Sequence, residues 1–208
     1  MRGGAGLVIL GFGGHARSVA SIALSSGFEA LLFVDENARP GETFLGFPAV
    51  TALEGRDFPD GWVCIPAIGD NCSRERQYEL ATAAGWPLGN VIAETATIAS
   101  DAEMSTGCFV GHHAHVGPSA RVGAGCIVNT GGIVEHECVV GDFCHVSVNA
   151  VLAGRSKLGM RVFLGAGASV IDGIAVSGDI TIGAGAVVIE SLTERGRYVG
   201  CPARRLND

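Results

Sequence analysis

Aliphatic residues recur along the second half of the chain at a strict interval of six. From Ile98 the series runs Met104, Val110, Val116, Val122, Val128, Val134, Val140, Val146, Leu152, Leu158, Leu164, Val170, Val176, Ile182 and Val188, without an exception. The fourth residue after each is small or aliphatic, as at Ala102, Cys108, Ala114, Ala120, Cys126 and Cys144. Gly often follows the aliphatic residue directly, as at Gly117, Gly123, Gly141, Gly159 and Gly165. A period of six fits neither a helix face nor an alternating strand. It predicts a triangular solenoid in which each hexad supplies one short strand and one corner. The large residue points inward, the small one fills the corner, and Gly takes the backbone angles of the turn. Eighteen residues complete one coil, so 98–188 makes about five coils. Cys108, Cys126 and Cys144, spaced by 18, should stack in one interior column, with Cys138 in the same slot on another face. There they act as small hydrophobes.

The first half carries a different pattern. Leu7–Leu10 is a continuous apolar run, which predicts a buried parallel strand. It feeds Gly11-Phe12-Gly13-Gly14-His15-Ala16, a helical stretch to about Ser25, and a second apolar run, Ala30–Val34, that ends in Asp35. Gly11-x-Gly13-x-x-Ala16 satisfies a phosphate-binding fingerprint: glycines let the backbone approach a phosphate, and a helix N-terminus favours its charge. Val63–Ile68 predicts a further strand, followed by a helix over Ser73–Gly85. A dinucleotide is the obvious first ligand. The region before the repeat, residues 1–93, is about half a full dinucleotide-binding domain, and suits one nucleotide with its phosphates better. The expected organisation is therefore a Rossmann-like α/β unit over 1–93 and a β-helix with a C-terminal extension over 94–208.

Charge narrows the partners. Fourteen Lys+Arg against 21 Asp+Glu leave a formal charge of −7, which argues against nucleic acid or an anionic membrane surface. No apolar run approaches the ~18 residues that span a bilayer. The opening MRGGAGLVILGFGG lacks the order of a signal peptide, so a soluble, cytoplasmic protein is expected. Gly is 32 of 208 residues but follows no Gly-X-Y period, which excludes collagen.

The two halves together resemble the sialic-acid O-acetyltransferase and bacillosamine-pathway N-acetyltransferase family of hexapeptide-repeat acyltransferases, whose repeat folds as a left-handed parallel β-helix. The resemblance rests on Gly11-Phe-Gly-Gly-His15-Ala, Phe33-Val-Asp35, Ala67-Ile-Gly-Asp-Asn71 with Arg74, Val128-Asn129-Thr130, Val134-Glu-His136-Glu137-Cys138, His145-Val-Ser147, Leu152-Ala-Gly154 and Val199-Gly-Cys-Pro-Ala203. It implies transfer of acetyl from acetyl-CoA to the 4-amino group of a nucleotide-linked 4-amino-4,6-dideoxy sugar, UDP-linked by preference. It further implies a homotrimer with CoA sites between subunits. By position, His136 resembles the catalytic base and Glu137 the carboxylate that orients it. Asn129, His145, Gly154, Ala166 and Gly185 match the acetyl-CoA side. Gly11, Gly13, Gly14, His15, Asp35 and Asn71 match the sugar-nucleotide pocket. No metal is implied.

The chemistry supports these roles independently. An amine attacking a thioester must lose a proton, and His titrates in the range to take it. A carboxylate beside it fixes the tautomer, and a corner N–H such as that of Gly154 can meet the oxyanion. Two residues after Val134, His136 should face outward. His112, His113 and His115 read as a solvated outer face, with sugar or phosphate contact as the alternative. Sialic acid O-acetylation on the same scaffold is the close rival. A γ-type carbonic anhydrase would need a His-x4-His pair, and the sequence has none. A non-enzymatic β-helix would need neither the outward Glu135-His136-Glu137 nor the Gly loop, and an NAD-dependent enzyme remains a further alternative.

Overall fold

The computed structural model describes residues 6–53 and 58–206, so the first residues of the opening segment lie outside it. Its contacts divide the chain into two compact units that meet between Glu94 and Thr95.

The first unit is α/β. Its elements are β1 (Gly6–Leu10), α1 (Gly14–Ser25), β2 (Ala30–Val34), β3 (Thr43–Phe44), β4 (Phe47–Val50), β5 (Val63–Pro66) and α2 (Asn71–Ala83). The sheet order is β3-β4-β2-β1-β5, parallel except for the β3–β4 hairpin. All five residues of β1 are buried, as a central strand covered on both faces requires. On one face Val8, Leu10, Leu32, Cys64 and Ala81 form the core, with Val34 and Trp86 packed against it. In α1 the buried Ala16, Val19, Ala20 and Ala23 follow the i, i+3, i+4, i+7 spacing of an amphipathic helix. The chain leaves β1 for β2 on one side and returns as β5 on the other. The strand ends beside β1 therefore form the kind of crevice in which open α/β sheets take ligands.

The second helix starts at Asn71 rather than Ser73, because the Asp70 carboxylate accepts the Ser73 N–H at 2.8 Å and caps the helix earlier. The β3–β4 hairpin was not expected. Pro48 stands inside β4 and the neighbouring apolar residues do not alternate with polar ones, which hides the strand signal.

The second unit is the left-handed parallel β-helix. Short strands form three faces, and up to Val187–Val188 the strands pair 18 residues apart, as His115–Val116 does with Ile133–Val134, and Ile133–Val134 in turn with Val151–Leu152. The first face holds the strands from Thr97–Ile98 to Val187–Val188, the second those from Glu103–Met104 to Ala175–Val176. The third contains the strands from Phe109–Val110 to Ile180–Ile182, continued by Gly196–Val199 and Arg204–Arg205. The hexad residues Val116, Val128, Val134, Val146, Leu152, Leu164 and Val170 are fully buried. The cysteine column is as expected, with a polar bonus: the thiols of Cys108, Cys126 and Cys144 donate to the carbonyls of Gly123, Gly141 and Gly159, each 15 residues on. Cys138 donates to Ala153 in the same way, and burial pushes its thiol up to about 11.

The role expected for the hexad glycines is corrected. Gly117, Gly141, Gly159 and Gly165 do not take the left-handed backbone. A Cβ on Gly117 would lie 2.7 Å from the backbone nitrogen of His136 in the next coil, and one on Gly159 2.5 Å from that of Gly178. These glycines permit close stacking of coils. The left-handed residue comes two positions later in each corner. It is Gly at 125, 131, 167, 173 and 185, but Glu137, Phe143, Arg155, Arg161 and Asp179 at others.

No helix among the described residues is long and apolar enough to cross a membrane.

Candidate active site and nucleotide crevice

Edges of the β-helix are built from the third to the sixth residue of each hexad, so side chains 18 residues apart stack directly. On the edge after the first face, this places His136, Gly154 and Asp172 in one column. His136 Nδ1 lies 3.1 Å from Glu137 Oε2, with both side chains about half exposed at 42% and 58%. The backbone N–H of His136 donates to Glu135 Oε2 at 3.3 Å. The other ring nitrogen, Nε2, is turned onto Gly154, where an added Cβ would lie 2.4 Å from it and 3.0 Å from Asp172 Oδ2. Asp172 is itself held by Arg155 at 2.6 Å. Gly154 is buried, and its N–H forms no hydrogen bond among the described residues. An imidazole with one nitrogen on a carboxylate and the other open beside a bare backbone can accept a proton from a nucleophile. It can return that proton to a leaving group.

Residues 6–81 match the family model of the PglD N-terminal domain. Over nearly the whole chain, the acetyltransferase domain of PglB from Neisseria gonorrhoeae FA1090 superposes with a TM-score of 0.91 and 31% identity, covering 97% of this chain and 99% of that one. The chain belongs to this family of hexapeptide-repeat sugar acetyltransferases. PerB from Caulobacter crescentus, solved in complex with CoA and GDP-perosamine, superposes with a TM-score of 0.86 at 31% identity, covering 97% of each chain. WeeI from Acinetobacter baumannii AYE shares the fold at 20% identity and a TM-score of 0.77, over 97% of this chain and 100% of that one. A search of the curated proteins finds no significant match.

The other residues expected on the acetyl-CoA side lie elsewhere on the β-helix. Asn129, Ala166 and Gly185 fall on the edge after the third face, where the Gly185 N–H donates to the Ala166 carbonyl at 2.8 Å. His145 is buried at 7% exposure on the third face, with Nε2 3.2 Å from Asn129 Nδ2 and its ring edge-on to Phe163. Within one chain, the structure thus joins His136, Glu137 and Gly154 on one edge and Asn129, His145, Ala166 and Gly185 around another. Asp172 and Arg155 were not read from the sequence, although their spacing of 36 and 19 from His136 was available.

His112 and His115 are half-buried, with their Nδ1 atoms 2.9 and 2.7 Å from the hydroxyls of Thr95 and Thr97. His113 is exposed.

In the α/β unit, the loop after β1 is shaped by Asp35. Its Oδ2 accepts the Phe12 N–H at 2.8 Å and its Oδ1 the Asn37 N–H at 2.9 Å. This holds Gly11, at φ +123°, in place and opens α1 at Gly13. The helix has no side-chain cap and no acidic residue in its first turn, and a Cβ on Gly13 or Gly14 would meet nothing within 4 Å. Room for an anion therefore exists where the helix dipole favours one. His15 stands half-buried in the first turn. Asn71, expected to bind substrate, is buried, and its Oδ1 accepts from Arg74 Nη2 at 2.7 Å. Arg74 is fully buried and also donates to the carbonyls of Ile68 and Gly69, both at 3.1 Å. Asn71 thus holds the guanidinium that ties down the loop after β5.

Two cavities open beside this loop. The larger, of 630 Å³, lies at the ends of β1, β2 and β5 against α2, lined by apolar Leu10, Val34, Ile68, Leu80 and Trp86. The smaller, of 330 Å³, lies between Phe12, Gly13 and Glu42. Asp35 and Asn37 border both.

Proposed function

We propose that the protein transfers the acetyl group of acetyl-CoA to the 4-amino group of a nucleotide-linked 4-amino-4,6-dideoxy sugar, with His136 as general base. The observation that carries the reading is the placement of His136 between Glu137 and Gly154. The amine nitrogen attacks the thioester carbonyl carbon and forms the C–N bond, while His136 Nε2 takes a proton from that nitrogen. Glu137 on Nδ1 fixes the tautomer that leaves Nε2 basic and stabilises the imidazolium. The Gly154 N–H donates to the oxyanion of the tetrahedral intermediate. On collapse the C–S bond breaks, and the thiolate of CoA receives the proton from His136.

In support, the PglB acetyltransferase domain has been solved with acetyl-CoA, and PerB with CoA and GDP-perosamine. The α/β unit would hold the nucleotide through the Gly13–Gly14 loop and the α1 N-terminus. The uridine preference expected from the resemblance has no counterpart in that loop, which meets phosphates rather than the base. Because one chain carries the dyad and the acetyl-CoA residues on different edges, the working enzyme is proposed to be a homotrimer. In it, one edge of each subunit faces another edge of its neighbour. Both reactants are water-soluble, and the proposed location is the cytoplasm.

Purified protein should be mixed with acetyl-CoA and UDP-, dTDP- and GDP-linked 4-amino-4,6-dideoxy sugars, with sialic acid as a further acceptor, and free thiol measured. Turnover on an amino sugar is expected. Turnover on sialic acid alone would place the protein in the O-acetyltransferase branch. Silence with every acceptor, despite acetyl-CoA binding, would overturn the acceptor reading.

A further inference from the structure

We infer that the 630 Å³ crevice at the ends of β1, β2 and β5 receives the base of the nucleotide sugar, and that Glu36 and Arg76 on its rim select guanine. This rests on the nucleotide-sugar reading above and names the base.

The crevice is lined mainly by apolar surface, and part of it is open to solvent. Leu80 is 68% exposed on α2, and Trp86 lies beside it. Large apolar side chains left bare in a concave site are what a planar aromatic ligand covers. The crevice also borders Gly11, so a base there lies one ribose away from the phosphate loop.

The rim then discriminates among bases. Of the two acidic residues lining the crevice, Asp35 is committed to the Phe12 and Asn37 N–H groups, whereas Glu36 forms no hydrogen bond among the described residues. On the α2 side stands Arg76, whose Nη2 donates to the Ser73 hydroxyl at 2.9 Å. A free carboxylate accepts two parallel N–H bonds. Guanine offers two neighbouring donors, N1–H and the N2 amino group, on one edge, and two acceptors, O6 and N7, on another. The second pair suits an arginine fork. Uracil and thymine present one N–H between two carbonyls, so a carboxylate that accepts the N–H turns its second oxygen against an acceptor. Adenine lacks the N1–H. An anionic group on one side and a cationic fork on the other complement guanine alone among these bases.

Calorimetric titration of the whole protein with GDP, UDP and dTDP, in the absence of acetyl-CoA, tests the assignment. GDP is expected to bind at least tenfold more tightly than UDP or dTDP. Glu36→Gln should weaken GDP about tenfold while changing UDP less than twofold, and Arg76→Gln should likewise reduce the preference. Both side chains are exposed, and an unchanged melting temperature checks that the variants fold. Tighter binding of UDP or dTDP would overturn the guanine assignment and leave the nucleotide-sugar reading standing. A GDP preference that survives both substitutions would overturn the roles of Glu36 and Arg76. Failure of all three diphosphates to bind would overturn the nucleotide reading and this inference with it.

Discussion

The imidazole of His136 rests on the α-carbon of Gly154, eighteen residues away and one coil further along the β-helix. The space a methyl group would need at Gly154 is already taken by Nε2, at 2.4 Å, and by Asp172 Oδ2, at 3.0 Å. The contact brings the proposed base against the proposed oxyanion donor through one ladder register.

Gly154→Ala should separate activity from stability. The colliding atoms are the ends of the His136 and Asp172 side chains, which can rotate away, and Gly154 is not in the left-handed region. The melting temperature is expected to stay within about 2 °C of the parent. A displaced imidazole should lower kcat by about 100-fold. Thermal melting and thiol release on the same preparation read both.

His136→Ala removes the proposed base and leaves the edge otherwise intact. Acetyl transfer should fall by about 10²- to 10⁴-fold. Acetyl-CoA affinity, measured by calorimetry, should change less than threefold.

Glu137 occupies the left-handed corner position at φ +59°, where Gly131, Gly167, Gly173 and Gly185 stand in other corners. Phe143, Arg155, Arg161 and Asp179 stand in the same conformation, and what sets Glu137 apart among them is its 3.1 Å contact with His136 Nδ1. Glu137→Gly is expected to preserve or raise stability, by up to about 1 kcal/mol. The same change should cut acetyl transfer roughly tenfold or more, as the imidazole loses its orienting partner. A variant that melts lower and remains fully active would refute this.

The proposed sharing of the site between subunits predicts complementation. His136→Ala and Asn129→Ala chains, each strongly impaired alone, should recover activity when denatured and refolded together. Random assembly of a trimer restores about one quarter of the sites. Light scattering should give three times the chain mass.

Acid sensitivity has one identifiable contributor on the edge after the second face. Arg161 donates to both oxygens of Asp179, at 2.7 and 2.9 Å, and holds that carboxyl below its ordinary 3.8. A carboxyl depressed in the folded state adds stability above its unfolded value. That stability is lost as the pH falls through the lower folded value. Asp179→Asn should therefore cost about 0.5–1 kcal/mol at pH 7, and the difference between the two proteins should shrink as the pH falls through the lowered folded value. Denaturant titrations at pH 7, 4 and 2.5 measure the convergence.

The β-helix was legible because one physical rule, an inward aliphatic every sixth residue, repeats without a break from Ile98 to Val188. The outward placement of His136 followed from the same register. What escaped lay where two rules compete. The glycines after each aliphatic residue looked like turn formers, yet Gly117 and Gly159 are needed for the approach of the next coil, a contact between residues far apart in sequence. Asp35, expected in the nucleotide pocket, borders both cavities, and its added part in shaping the loop through the Phe12 and Asn37 N–H groups had no signal in the sequence. The β3–β4 hairpin was masked by Pro48, and the strands Gly196–Val199 and Arg204–Arg205 lie beyond the last hexad.

The 18-residue pairing interval, kept from Thr97–Ile98 to Val187–Val188, also constrains how such a chain can change length. Removing or duplicating a whole coil beyond Asp172 would keep every remaining strand opposite a partner of the same type, and would leave His136, Gly154 and Asp172 in line. Losing a single residue in the same stretch would turn buried valines into corner residues for all later coils. Length variation in this domain should therefore arrive in quanta of one coil, with its proposed chemistry carried unchanged in the coils between.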